Sequence, residues 1–204
     1  RIETMLADSG KLDRRELTRA LLADRGDLAV IAGLGAPCWD ITAVGDHKLN
    51  LPLWGGMGAA AMIGLGLALA QPTRPVLVLT GDGEMLMGIG ALATIAVKKP
   101  KNLSIVVQDN EHYGETSMQE TATKYGVDLV AMARGAGFRH TMFVTKPEEV
   151  PALRAAIHAG DGPFFAVAKI DASSKKLVLP PRDGAAIQHR MREAILGEAA
   201  YHQL

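Results

Sequence analysis

Two short runs, Val76–Thr80 and Leu103–Gln108, are apolar almost throughout. A strand with one wet face alternates polar and apolar residues. Runs like these instead mark strands covered on both faces, as in a parallel sheet. Around them the helical and strand patterns alternate along the chain. Leu12–Ala23 reads as an amphipathic helix with Leu12, Leu17, Ala20 and Leu21 on one side, and Leu28–Gly33 as a strand. Trp39–Val44 reads as a short helix. A loop, Leu53–Gly56, leads into a buried helix over Met57–Ala70. Glu84–Val97 reads as one helix, ended by Lys98-Lys99-Pro100. A polar loop follows over Asp109–Gln119. Next come a helix over Asp128–Arg134, closed by Gly135 and Gly137, and a strand over Arg139–Val144. A helix over Pro147–His158 has proline near its first turn. A strand over Pro163–Ile170, a linker over Ala172–Asp183 and a helix over Ala185–Leu196 complete the chain. The expected fold class is α/β: a doubly wound, mostly parallel sheet with helices on both faces. Residues 1–204 are expected to form a single domain, with 172–204 a linker plus C-terminal helix.

In such sheets a ligand sits at the carboxyl ends of the strands, near the point where the strand order reverses. Three glycine-rich or polar loops fall at strand ends: 33–38, 81–84 and 109–116. Glycine is in excess, 22 of 204 residues, about 11% against a usual 7% or so. It clusters at 33–35, 55–66, 81–90 and 135–137, each time beside an apolar run. Glycine so placed marks backbone that turns sharply or comes close to another group.

Composition excludes several classes. Lys plus Arg and Asp plus Glu are both 22, so no basic excess points to nucleic acid or an anionic membrane. One cysteine, Cys38, excludes a disulfide framework, a multi-cysteine zinc site and a cysteine-held iron–sulfur cluster within the chain, and suits a cytoplasmic setting. Leu51–Ala70 carries no charged side chain. Its proline, its five glycines and the lack of a flanking basic bias favour a buried helix over a membrane span. The charged N-terminus does not read as a signal peptide.

No phosphate-binding G-x-x-x-x-G-K-[ST], dinucleotide fingerprint or G-x-S-x-G elbow is present. Gly81-Asp82-Gly83 alone reads as a turn whose aspartate caps a helix. The same turn suits a diphosphate–metal site, with a carboxylate and free N–H groups together at a helix start. The next buried run ends in Asp109-Asn110-Glu111-His112-Tyr113-Gly114, with Asn110 28 positions after Asp82. Gly55-Gly56-Met57-Gly58 lies upstream, with Met57 25 positions before Asp82. These three features at fixed spacing resemble the diphosphate-binding domain of thiamine diphosphate-dependent enzymes. Within that family, Gly81–Ala96, Asn102–Val107 and Asp109–Gly114 are similar to the β-type subunit of sulfopyruvate decarboxylase and the C-terminal half of phosphonopyruvate decarboxylase. The similarity runs from about residue 12 to the Leu179-Pro180-Pro181-Arg182 tail and last helix.

The resemblance implies the following roles. Asp82, Asn110 and the backbone carbonyl of His112 would ligate Mg²⁺. Gly35, Ala36, Gly81, Gly83, Glu84, Tyr113 and Gly114 would surround the diphosphate of thiamine diphosphate, Gly83 and Glu84 through backbone N–H groups. The Gly55 carbonyl would accept from the aminopyrimidine, and Met57 would be the apolar wedge that bends the cofactor. His112 and Glu115 are candidate catalytic residues for substrate contact or proton relay. His47 and Lys48 could meet an anionic substrate. Asp109 replaces the first asparagine of the usual pair and is expected to face the protein. Glu84 replaces a commoner small residue and adds negative charge near a diphosphate. Met85, Met87 and Cys38 are expected in the core.

The family's pyrimidine-activating glutamate belongs to a separate domain, so a pyrimidine-binding α-type partner subunit carrying it, in a hetero-oligomer, is expected. The implied reaction is decarboxylation of a small 2-oxo acid to an aldehyde. A carboligase of acetolactate synthase type is the alternative, and a non-catalytic subunit retaining the fold a third.

Overall fold

The computed structural model describes residues 2–202. Its strands are β1 (Ala29–Ala32), β2 (Asn50–Pro52), β3 (Val76–Gly81), β4 (Leu103–Asp109), β5 (His112–Tyr113), β6 (Gln119–Glu120), β7 (His140–Val144) and β8 (Phe164–Lys169). Six of them form one parallel sheet in the order β2-β1-β3-β4-β8-β7, and β5 and β6 form a separate antiparallel hairpin. The helices are α1 (Arg14–Leu22), α2 (Ala36–Ala43), α3 (Ala60–Ala70), α4 (Asp82–Met87), α5 (Ala91–Lys98), α6 (Leu129–Ala136), α7 (Val150–His158) and α8 (Gly184–Leu196). The expected doubly wound parallel sheet is present.

Both faces of the sheet are apolar and covered. Along β3, Val76 and Val78 pack with Ala61, Leu65, Leu92 and Ile95 of α3 and α5, while Leu77 and Leu79 pack with Leu17, Leu21 and Leu153 of α1 and α7. This two-residue alternation between two buried layers makes the strand read as continuously hydrophobic. The chain passes from β1 outward to β2, then returns to place β3 on the other side of β1. The reversal opens a crevice between the carboxyl ends of β1 and β3, where Gly33–Ala36 and Gly81–Glu84 lie.

Local chemistry sets the element ends. Asp13 caps α1, its carboxylate accepting from the N–H groups of Arg15 and Glu16 at 2.9 and 3.0 Å. The Asn102 amide donates to the carbonyls of Ala68, Gln71 and Arg74, closing α3 and the turn after it. The membrane-length apolar segment is accounted for by β2, a glycine loop and α3, and among the described residues no helix is long and apolar enough to cross a membrane.

Four expectations change. The helix expected over Glu84–Val97 breaks into α4 and α5. A Cβ at Gly88 would lie 2.0 Å from the carbonyl oxygen of Gly58, so the Gly58 backbone crosses at the break. The helix expected from Met57 begins at Ala60, because Gly56 and Gly58 hold φ of +70° and +92°. Asn50–Pro52 forms a three-residue strand not distinguishable from loop in the sequence. The loop over Asp109–Gln119 contains β5, which pairs with β6, and β4 continues to Asp109.

α3 approaches the sheet through a missing side chain. A Cβ at Gly64 would lie 2.2 Å from Cγ2 of Val78. Gly64→Ala is therefore expected to destabilise the chain by about 1–3 kcal/mol through overpacking, despite alanine's better helix propensity. Urea denaturation would show a lower midpoint at unchanged slope. An unchanged or raised midpoint would contradict this packing.

Candidate active site

A cavity of about 250 Å³ opens at the carboxyl ends of β1, β3 and β4. Gly35, Ala36, Met57, Gly81, Asp82, Gly83, Glu84, Asn110, His112, Tyr113, Gly114 and Glu115 all line it. Residues from four separate segments thus converge as the spacing predicts. The segment after β8 forms the remaining wall, with Ala172, Ser173, Ser174, Lys175 and Leu177. This strap has no regular structure. It is tied to α1 by Lys175 on Asp13 and by Arg15 donating to the Lys176 carbonyl at 3.0 Å.

Asp82 sits at the floor, 1% exposed. Its Oδ2 accepts from the hydroxyls of Thr121 and Thr123, the latter at 3.1 Å. Burial pushes its carboxyl up to about 6, the nearby charge of Asp109 adds to the rise, and the two hydroxyls oppose it. Asp109 faces the protein, as expected. Its Oδ1 accepts from Thr123 at 2.8 Å and its Oδ2 from Lys169 at 3.0 Å. Thr123 therefore stands between the two carboxylates, and Lys169 neutralises the outer one.

The β4–β5 turn is built on Asn110. Its Oδ1 accepts from the His112 N–H at 2.9 Å, and the His112 Nδ1 lies 2.8 Å from the Asn110 carbonyl. Glu111 adopts φ +66° in this turn, and Lys169 holds its carboxylate at 2.6 Å. Tyr113 rests on the first turn of α4, where a Cβ at Gly83 would lie 2.4 Å from its Cε1. Gly83 thus admits an aromatic ring that any side chain would displace.

The oxygen donors fit the implied metal. A buried carboxylate beside a second carboxylate is unfavourable without a cation, and Asp82 shares the cavity with Asn110. Mg²⁺ takes one or two such protein oxygens and fills its octahedron from water and phosphate. Among the described residues no group of three or more His, Cys, Asp and Glu side chains forms a metal cage. The unpaired Oε1 of Gln108, 2% exposed on the same wall, leaves one acceptor open to a ligand donor.

Two negative charges are placed more specifically than the sequence reading has them. Glu84 turns away from the turn's open side. Its Oε1 accepts from the N–H groups of Gly58 and Ala60 at 2.8 and 3.1 Å, and its Oε2 accepts from the Thr80 hydroxyl. Glu115 lies against Gly35, and its Oε1 accepts from the Trp39 indole at 2.8 Å.

Other candidates fall outside. Gly55 is exposed and does not line the cavity. His47 and Lys48 lie in the turn before β2, remote from the cavity wall. The His47 Nδ1 accepts from the Leu49 N–H at 3.1 Å, and burial, with Arg25 and Lys48 nearby, lowers its pKa. Met85 is core at 1% exposure, but Met87, expected there too, is 62% exposed at the end of α4.

Several residues of the cavity and of its support were not legible as such. Gln108 carried a signal, a polar side chain inside a buried run. Thr121 and Thr123 carried none, since their role depends on a loop returning to Asp82. Arg14 and Lys175 belong to no motif in the sequence. Arg14 is 7% exposed and paired with Asp40, which it shares with Arg15.

The family model for "Thiamine pyrophosphate enzyme, C-terminal TPP binding domain" matches residues 37–168. The chain belongs to this family. It is 35% identical to "Sulfopyruvate decarboxylase subunit beta" of Methanothermobacter thermautotrophicus, over 91% of this chain and 97% of that one. It is 38% identical to "Sulfopyruvate decarboxylase" of Methanosarcina acetivorans over 67% of this chain, which spans only 35% of that longer protein. The benzoylformate decarboxylase structure from Polynucleobacter necessarius shares the fold at a TM-score of 0.64 and 20% identity, over 81% of this chain and 34% of that one.

Cys38 borders the first strand-end loop but is buried, with its thiol 3.1 Å from the Gly33 carbonyl and 3.2 Å from that of Leu53. Burial raises its pKa to about 12. At pH 8 only on the order of one thiol in ten thousand is ionised, and the thiolate is the reactive form. Iodoacetamide at pH 8 is expected to leave the native chain unlabelled and to modify one site after denaturation. Rapid native labelling, read by mass spectrometry, would contradict the burial.

Proposed function

We propose that this chain is the diphosphate-binding subunit of a two-chain, thiamine diphosphate- and Mg²⁺-dependent decarboxylase. Its substrate is a 2-oxo acid of sulfopyruvate or phosphonopyruvate type, and its product an aldehyde. The observation that carries this reading is the convergence of Gly35–Ala36, Met57, Asp82 and Asn110 on one cavity at the β1–β3 reversal. Matching 97% of a relative named as a β subunit supports the two-chain arrangement.

When bound, thiamine diphosphate supplies the electron sink for loss of carbon dioxide. The chain's residues supply binding and orientation. Asp82, Asn110 and the His112 carbonyl would hold Mg²⁺, and the backbone at Gly35–Ala36, Gly83–Glu84 and Tyr113–Gly114 would surround the diphosphate. Met57 presses a flexible apolar side chain into the cavity. Both cavity glutamates are engaged within the chain, Glu84 with backbone N–H groups and Glu115 with Trp39. The pyrimidine-activating glutamate that the family resemblance implies would come from the partner subunit. His112 would exchange a proton with substrate, a role that its half-buried position on the cavity wall supports.

Co-expression with a pyrimidine-domain partner, then a 2-oxo-acid screen with thiamine diphosphate and Mg²⁺, tests the reading. Carbon dioxide and aldehyde release are expected from the complex, and none from this chain alone. Condensed hydroxy-keto products would favour the carboligase instead. Asp82→Ala in the complex is expected to lower Mg²⁺-dependent turnover by more than about 100-fold. Turnover surviving that change would refute the metal role.

A further inference from the structure

The Met57 loop lies between β2 and α3 and contains Gly55, Gly56 and Gly58, of which Gly56 and Gly58 hold left-handed φ. Such backbone does not hold one conformation by itself. Ala59, at the N-cap position of α3, supplies no capping side chain. The first N–H groups of the helix would then lack partners in a buried place. Glu84 supplies a partner for the first of them, at Ala60, and another for the Gly58 N–H ahead of the helix. It is 4% exposed, and one carboxylate oxygen takes the N–H groups of Gly58 and Ala60 while the other takes the Thr80 hydroxyl. Space for it is left by Gly33, where a Cβ would lie 3.2 Å from Oε2 of Glu84.

Gly58 is gripped from its other side as well. Its carbonyl oxygen lies where a Cβ of Gly88 would be, four residues after Glu84 and just past the end of α4. One grip comes from the six-residue helix that begins at Asp82, and the other from the C-cap that ends it. The residue before Gly58 is Met57. The residue two before Glu84 is Asp82.

We propose that Glu84 is a positioning residue that fixes the Met57 wedge in register with the metal-binding turn, and so selects the bent form of the cofactor. This rests on the functional reading above and adds a role for a side chain that touches neither metal nor substrate. A small residue at position 84 would not reach the Gly58 N–H, so the added carboxylate has a use away from the diphosphate. Glutamine keeps the length and one acceptor oxygen, and its amide can donate to Thr80. Aspartate is one methylene too short to serve both N–H groups.

Two probes separate this role from general support of the fold. Mg-thiamine diphosphate senses both the diphosphate cradle and the wedge. Mg-pyrophosphate senses the cradle alone. Binding of each to the partnered complex is measured by titration calorimetry for wild type, Glu84→Ala, Glu84→Asp, Glu84→Gln, Met57→Ala and the Met57→Ala/Glu84→Ala double variant. Glu84→Ala is expected to weaken thiamine diphosphate at least about tenfold while pyrophosphate changes by less than about twofold. Glu84→Gln should stay near wild type with both probes. Adding Glu84→Ala to Met57→Ala should cost little more than Met57→Ala alone, since the two act as a unit. If Glu84→Ala does not fold, Glu84→Asp is expected to show the same selective loss. Equal weakening of both probes, no weakening of either, or additive losses would overturn the proposal. Failure of the wild-type complex to bind Mg-thiamine diphosphate would overturn the functional reading, and this proposal with it.

Discussion

Burial of both faces of the sheet dictates where polar chemistry can stand. Every side chain along β3 from Val76 to Leu79 is spent on one of two apolar layers. Buried polar groups need partners. The sheet's middle therefore offers no place for a charged site, and only strand ends do. At the β1–β3 reversal the two neighbouring ends carry bare glycine backbone, because the connections leave in opposite directions. The site is thus a product of topology, and its residues are those the topology delivers there.

The charges in the site form one graded series. Lys169 neutralises Asp109, Thr123 joins Asp109 to Asp82, and Asp82 faces the cavity. The outer carboxylate is matched by an ammonium. The inner one is not, and its carboxyl is pushed up to about 6 by burial. That imbalance is suited to a site that receives a cation from solvent, since a group fully neutralised in advance gains less from the metal. Zero net charge over the whole chain conceals the arrangement.

Much of this was legible because it is written in local patterns. Uniformly apolar runs identify doubly covered strands, and Gly81-Asp82-Gly83, Asn110 and Met57 keep fixed spacings set by two successive units, α3–β3 and α4–α5–β4. The misses share a different cause. The break between α4 and α5 depends on Gly58 crossing Gly88, and the placing of Glu84 and Glu115 depends on segments 24 to 76 residues away. Thr121 and Thr123 gain a role only when their loop folds back over Asp82. A side chain's partner across the fold leaves no periodicity in the sequence. Gly55 kept its motif position yet lies outside the cavity wall, since spacing fixes neighbourhood and not contact.

The strap after β8 has a consequence of its own. It contributes a wall of the cavity but no rung of the sheet, being moored by a few contacts: Asp171 to Leu12, Lys175 to Asp13, Lys176 to Arg15 and Pro181 to Trp54. Sequence change there reshapes the chamber without disturbing the layers that make the protein fold. The molecule thus separates two inheritances. The layers hold the dense packing of the fold, while the strap lines the cavity through few contacts and can vary at small cost to folding.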